Sequence, residues 1–193
     1  DKIFGSAHNI PKAIIVPHAG YIYSGLTAAA AYNRLHLGRE TIKRVIILGP
    51  CHRVGINGLA LPSTETFQTP LGDIPIDKDA MTSIKDLEYV KIFNETHVED
   101  HSIEVHLPFL QKILADFTLL PLIVGDTEPE KVAKVLEILW GGPETLIIIS
   151  SDLSHYLNYN EAKILDSQTS KAIEQMDLHA LSHDQACGRH SIK

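Results

Sequence analysis

The sequence predicts an α/β fold in layers, with a mostly parallel sheet flanked by helices. Three observations carry that expectation. Short β-branched runs recur at residues 12–17 (KAIIVP), 43–48 (KRVIIL) and 145–150 (TLIIIS), and each has an unbroken apolar centre of the kind buried in a parallel sheet. Stretches with helical periodicity separate them, the alternation that builds a parallel sheet. Each run gives way at once to a glycine turn or a polar cluster.

The elements follow in order. Strand 12–17 leads into His18-Ala19-Gly20-Tyr21, then a small-residue helix over about 24–35 with Ser24 as its N-cap. Strand 43–48 leads into a Gly49-Pro50-Cys51-His52 turn. A short strand is expected at 58–61, a turn-rich segment at 69–77 and a helix at 79–87. Residues 101–115 carry Ile103, Val105, Leu107, Leu110, Ile113 and Leu114 in an amphipathic pattern. Pro108 inside it implies either a kink or a helix that starts near it. Residues 117–124 (FTLLPLIV) read as a strand, although Pro121 is atypical of a central one. Helix 128–139 has Pro129 in its first turn, where proline is favoured. Strand 145–150 runs straight into Ser151-Asp152-Leu153-Ser154-His155, and 161–176 is the last helix.

Composition closes several routes. The chain has 193 residues, enough for one α/β domain with a real core. Its hydrophobic content of 44% is too high for intrinsic disorder. A net charge of −7 with no basic run argues against sequence-independent nucleic-acid binding. The longest apolar runs fall far short of a membrane span, and no signal-peptide pattern is visible, so no membrane role and a cytoplasmic location are expected. Neither G-x-G-x-x-G nor a Walker lysine motif is present. Two cysteines do not make a disulfide scaffold, whereas 11 histidines are a surplus of the commonest metal ligand.

Several of those histidines fall at strand ends. His18, His52 and the Asp152/His155 pair each follow a predicted strand within a few residues. Ligands of open α/β sheets bind beyond the carboxyl ends of the strands, so these residues can converge on one crevice. Taken singly, His18 and His52 read equally well as core histidines, Cys51 as an inert thiol, and Asp152, Ser150 or Ser151 as helix caps. The stretch Glu99 to His106 is the densest polar cluster. On a helix His101 and Glu104 share a face while His106 points elsewhere, and H-x-x-E-x-H is not the zinc-protease H-E-x-x-H. Its two readings are a solvated helix start and a pair of acid–base groups facing the crevice. Cys187 before Gly188 and Arg189 suits either a thiolate ligand or a buried thiol. His8, His36, His97, His179 and His183 are expected at the surface.

The ordered set PHAGYIYSG, LGPCH, EDHSIEVHLPF, SSDLSHY and ACGRH resembles the Memo family, also called AmmeMemoRadiSam system protein B. The resemblance runs from about Pro11 to the last residue. It implies a fold like the class III extradiol dioxygenases and a metal site of His18, His52 and Cys187. One metal ion is implied, with Fe(II) or Cu favoured and Zn an option. Asp152 and His155 would line the pocket, with His101, Glu104 and His106 as further catalytic candidates. A cysteine in place of the dioxygenase glutamate makes ring opening no automatic consequence of the fold. The whole chain, 1–193, reads as a single Memo-like domain short of N- and C-terminal segments. Radical-SAM and AMMECR-type proteins are implied as partners by association only, beside a small-molecule substrate.

Three functions are compatible with this set. One is metal-dependent redox chemistry with O2, His155 moving protons and Asp152 orienting it. Another is a non-catalytic module that binds metal or peptide, or serves signalling. The third and weakest is a metal-dependent hydrolase.

Overall fold

The computed structural model describes residues 9–98, 100–182 and 184–193, so the surface expectations for His8 and His183 lie outside it. It contains the expected α/β layers. The strands are β1 (Ala13–Val16), β2 (Arg44–Pro50), β3 (Leu59–Leu61), β4 (Thr66–Thr69), β5 (Gly72–Pro75), β6 (Val90–Ile92), β7 (Thr118–Val124) and β8 (Thr145–Ser150). Six of them form one sheet in the order β1-β8-β2-β7-β3-β6, and β4 and β5 form a hairpin. Strands β1, β8, β2 and β7 run parallel. Strand β3 runs antiparallel to β7, and β6 follows β3.

The helices are α1 (Tyr21–Tyr32), α2 (Lys78–Ile84), α3 (Glu95–Val98), α4 (Leu107–Ile113), α5 (Pro129–Leu139), α6 (Tyr159–Glu174) and α7 (Arg189–Ile192). Two apolar cores flank the sheet. Val45, Ile47, Leu146 and Ile148 point to the core shared with Ala28, Tyr32, Leu107 and Leu110 of α1 and α4. Ile46, Leu48, Ile147 and Leu122 point to the opposite core, with Ile84, Val132 and Val135 of α2 and α5. Burial on both faces is why these strands read as unbroken apolar runs.

Pro121 fits because of how β7 is flanked. It shares parity with Gly125, whose N–H donates to Gly58 on the β3 side. Strand β3 pairs only with Ile123 and Val124, so the missing N–H of Pro121 falls where the ladder has ended.

Several expectations are corrected. Ser24 does not cap α1: the N-cap is Gly20, and the Ser24 hydroxyl donates to the carbonyl of Ala19 at 2.7 Å from inside the helix. The turn-rich 69–77 region includes part of the β4–β5 hairpin, which too few alternating residues announced. Strand β6 and helix α3 are too short to show a period. The helix expected from His101 begins only at Leu107, after a 3-10 turn at Glu104–His106, so the start near Pro108 is the outcome. His101 and Glu104 therefore share no helix face. His97 is not a surface residue. Burial is the largest influence on it, lowering its pKa to about 4, and its Nε2 has no hydrogen-bond partner among the described residues. His36 and His179 are exposed as expected.

Leu48 is fully buried in β2, so Leu48→Ala should lower the unfolding free energy by about 3 kcal/mol. Leu26→Ala, at a position 90% exposed, should change it by less than about 0.5 kcal/mol. Urea denaturation of both variants checks the contrast.

Candidate metal centre

The polar residues lie where the central strands stop. Val16 of β1 is in register with Ser150 of β8, and Leu48 of β2 with Ile149. His18, Asp152 and His52 thus leave the sheet side by side. Cys187 arrives from the far end of the chain, and Gly188 lets it dock. A Cβ on Gly188 would sit 2.6 Å from the Ser150 carbonyl oxygen, so only glycine admits this approach. The docked turn is held by Gly188 N–H on Ser151 Oγ (2.9 Å) and Cys187 N–H on the Asp152 carbonyl (3.2 Å).

His18, His52 and Cys187 each offer one ligand atom, and these atoms lie within 4.8 Å of one another. His18 is buried, and its Nε2 is 3.4 Å from Cys187 Sγ. That contact places two lone pairs face to face and needs a proton or a cation between them. The Asp152 N–H also donates to Sγ at 3.2 Å. Burial is the largest influence on Cys187 and would raise its thiol. Hydrogen bonds from His18 and His52 outweigh it and bring the thiol down to about 6. His52 moves the opposite way, up to about 10, through its hydrogen bond to Asp100 first and to Cys187 second. A thiolate facing an imidazolium is what results, a donor set ready to exchange protons for a metal ion.

Asp100 is the buried partner of His52. Its Oδ1 is 3.1 Å from His52 Nδ1 and takes the Ser102 N–H at 2.9 Å, and its Oδ2 takes the His52 backbone N–H at 2.7 Å. Burial favours the protonated carboxyl, but these donors outweigh it and hold Asp100 far below the usual carboxylate range. With Nδ1 so engaged, His52 leaves its Nε2 for His18 and Cys187. Carboxylate–histidine pairs of this kind orient metal ligands.

Asp152 is not a helix cap either. Its Oδ1 accepts the backbone N–H groups of His18 (2.9 Å) and Ala19 (3.2 Å), and its Oδ2 lies 3.7 Å from His18 Nε2. It fixes the turn that presents His18. The His101 ring stacks on His52 with centroids 5.5 Å apart and stands edge-on to His18 at 5.7 Å. His155 is exposed and shares with His52 and Cys187 the lining of a cavity of about 610 Å³, beside Tyr156, Leu157 and Arg189. Glu104 is exposed, and its influence is felt at Tyr21 outside the cluster. His106 is fully buried behind the centre, where burial, the largest cause, lowers its pKa to about 3 and keeps it neutral.

Asp100, Ser102, Ser150 and Tyr32 hold the site residues, and sequence reasoning did not single them out for it. Asp100 had a usable signal, an acid inside the dense EDHSIEVH cluster. Tyr32 had none, because it occupies the apolar stripe of α1 with Ser24 and Ala28.

The fold and the site together describe an α/β protein with a His/His/Cys cluster at the strand ends. The sequence profile described as Memo-like protein matches residues 3–192. The chain belongs to the Memo-like family. It is 38% identical over 176 residues to a MEMO1 family protein of Aquifex aeolicus, an alignment covering 89% of this chain and 64% of that protein. It is 32% identical to Protein MEMO1 of Mus musculus and 34% to that of Danio rerio, each covering 94% of this chain and 70% of the relative. The chain thus spans roughly two thirds of the curated relatives that it matches.

Cys187 should be alkylated by iodoacetamide along a pH curve centred near 6. In His52→Ala the midpoint should rise toward the ordinary cysteine value of 9.0. Peptide mass spectrometry separates Cys187 from Cys51, and an unmoved midpoint would remove His52 as a cause.

Proposed function

We propose that this protein is a metal-dependent redox protein that binds one ion through His18, His52 and Cys187 and acts with O2 on a small molecule held in the adjoining cavity. The observation that carries this reading is the convergence of two imidazoles and a thiolate within 4.8 Å. Imidazole with thiolate suits copper, thiolate-bound iron or zinc rather than a hard cation such as magnesium. Such an ion supplies Lewis acidity and, for iron or copper, one-electron chemistry. The protein groups do the rest. Asp100 holds His52, and Asp152 holds the turn of His18. Leu157, Leu165 and Ala186 give the cavity an apolar side, which favours an organic ligand over water. His155 on its wall offers a ring nitrogen to take up or release a proton, and His101 stacked on His52 limits the ring's rotation.

A second reading is a metal- or peptide-binding module without turnover. It is favoured by Tyr156, fully exposed at the edge of the same cavity with its backbone φ at 61°. An aromatic side chain held out in this way suits contact with a partner.

Metal loading under argon distinguishes the readings. Wild-type protein should retain about one equivalent of Fe(II) or Cu(I) by mass spectrometry, and His18→Ala, His52→Ala and Cys187→Ala should lose it. Loaded wild type should then consume O2 with a catechol above the His18→Ala and Cys187→Ala controls. Stoichiometric metal with no O2 uptake would select the binding module, and no metal retention would overturn the redox reading and leave the module only its peptide-binding form.

A further inference from the structure

We propose that Ser150 is a positioning residue that selects the metal-binding form of His18, with His106 and Tyr32 behind it as the support. The proposal rests on the metal-centre reading above and adds the group that prepares one of its ligands.

The geometry leaves one proton arrangement. Ser150 Oγ has three polar neighbours: the Ser102 carbonyl at 2.5 Å, His18 Nδ1 at 2.6 Å and His106 Nε2 at 2.8 Å. A carbonyl oxygen only accepts, so the hydroxyl must spend its single proton on Ser102. Its two lone pairs then face two ring nitrogens, and both rings must donate. His18 therefore carries a proton on Nδ1, and His106 carries one on Nε2. A neutral His106 has a bare Nδ1, which accepts the Tyr32 hydroxyl at 2.8 Å. Along the chain Tyr32–His106–Ser150–Ser102 each of these ring N–H and hydroxyl donors then has an acceptor.

The consequence lies at the other nitrogen of His18. Imidazole binds a metal through an unprotonated nitrogen, and which nitrogen is free is set by the hydrogen bond that the other makes. With Nδ1 tied to Ser150, the nitrogen available to the ion is Nε2, the one that faces Cys187. His52 reaches the same state through a carboxylate. His18 reaches it through a hydroxyl that two histidines share. The buried surroundings make the selection firm, because moving the proton would leave a lone pair of His18 facing a lone pair of Ser150. Gly49 closes the arrangement: a Cβ there would meet Ser102 Oγ at 2.6 Å, so the loop carrying Ser102 reaches Ser150 only past a glycine.

Two-bond ¹⁵N–¹H correlation spectra of the histidine rings test the proposal, with Zn(II) as the probe metal because it is diamagnetic. In metal-free wild type, His18 should be protonated at Nδ1 and His106 at Nε2. On Zn(II) loading, His18 should keep Nδ1–H and bind through Nε2. Ser150→Ala should abolish the fixed Nδ1–H and weaken Zn(II) about tenfold in chelator competition, and Ser150→Thr should restore both. Tyr32→Phe, which keeps the ring and removes only the hydroxyl, should let His106 sample both tautomers and weaken Zn(II) less than Ser150→Ala. If neither Ser150 variant folds, the wild-type and Tyr32→Phe spectra decide. A wild type that takes up no Zn(II) overturns the metal-centre reading and this proposal with it. A wild type that binds Zn(II) with His18 Nδ1 bare, or a folded Ser150→Ala with unchanged affinity, overturns the proposal alone.

Discussion

Strands β2 and β8 are buried on both faces, and that constraint organises the molecule. Inside such a sheet the backbone satisfies itself through the ladder, and an unpaired polar side chain would cost about 1–3 kcal/mol. Polar chemistry is thereby pushed to the strand ends. Four parallel neighbours end at one edge, so the residues that follow them meet whether or not they are near in sequence. His18 and Ser150, 132 positions apart in the chain, hydrogen-bond for this reason.

The same burial sets the electrostatics. His52, Asp100 and Cys187 are each drawn away from their ordinary titration by partners that compensate for lost water. His52 rises through Asp100 first and Cys187 second, and Cys187 falls, against its burial, through His18 first and His52 second. Burial is the largest influence on His106 and His97 and leaves both neutral, the pull of Asp100 on His97 being the smaller effect. These histidines thus divide into a candidate ligand held by a carboxylate, a candidate ligand held by a hydroxyl, a neighbour that stacks, a neutral strut and an unrelated half-buried residue.

The segment from Asp100 to His106 shows how much of this was legible. Its density of polar residues marked it, but the reason for that density lies in what it crosses. Asp100 grips His52 beyond β2, and Ser102 donates to Pro50 and accepts from Ser150. His106 then reaches Ser150 from the other side. A helix was the natural reading because the apolar spacing continues back into it. The segment instead follows the strand ends, since these side-chain hydrogen bonds replace those a helix would have made. Glu104, which shares the motif, points outward and joins none of them.

What the sequence by itself determined is the layered α/β class, the main strands and helices, and the polar residues gathered at the strand ends. Apolar runs, glycine turns and ordered motifs are local properties, and they survive without knowledge of the partners. Only the tertiary structure decided that Asp100 serves His52, that Asp152 holds a turn rather than a helix, and that Ser150 joins His18 to His106. Those are pairings between segments distant in the chain. They depend on sheet order, on two glycine contacts closer than any Cβ allows, and on which lone pairs and protons remain once water is excluded.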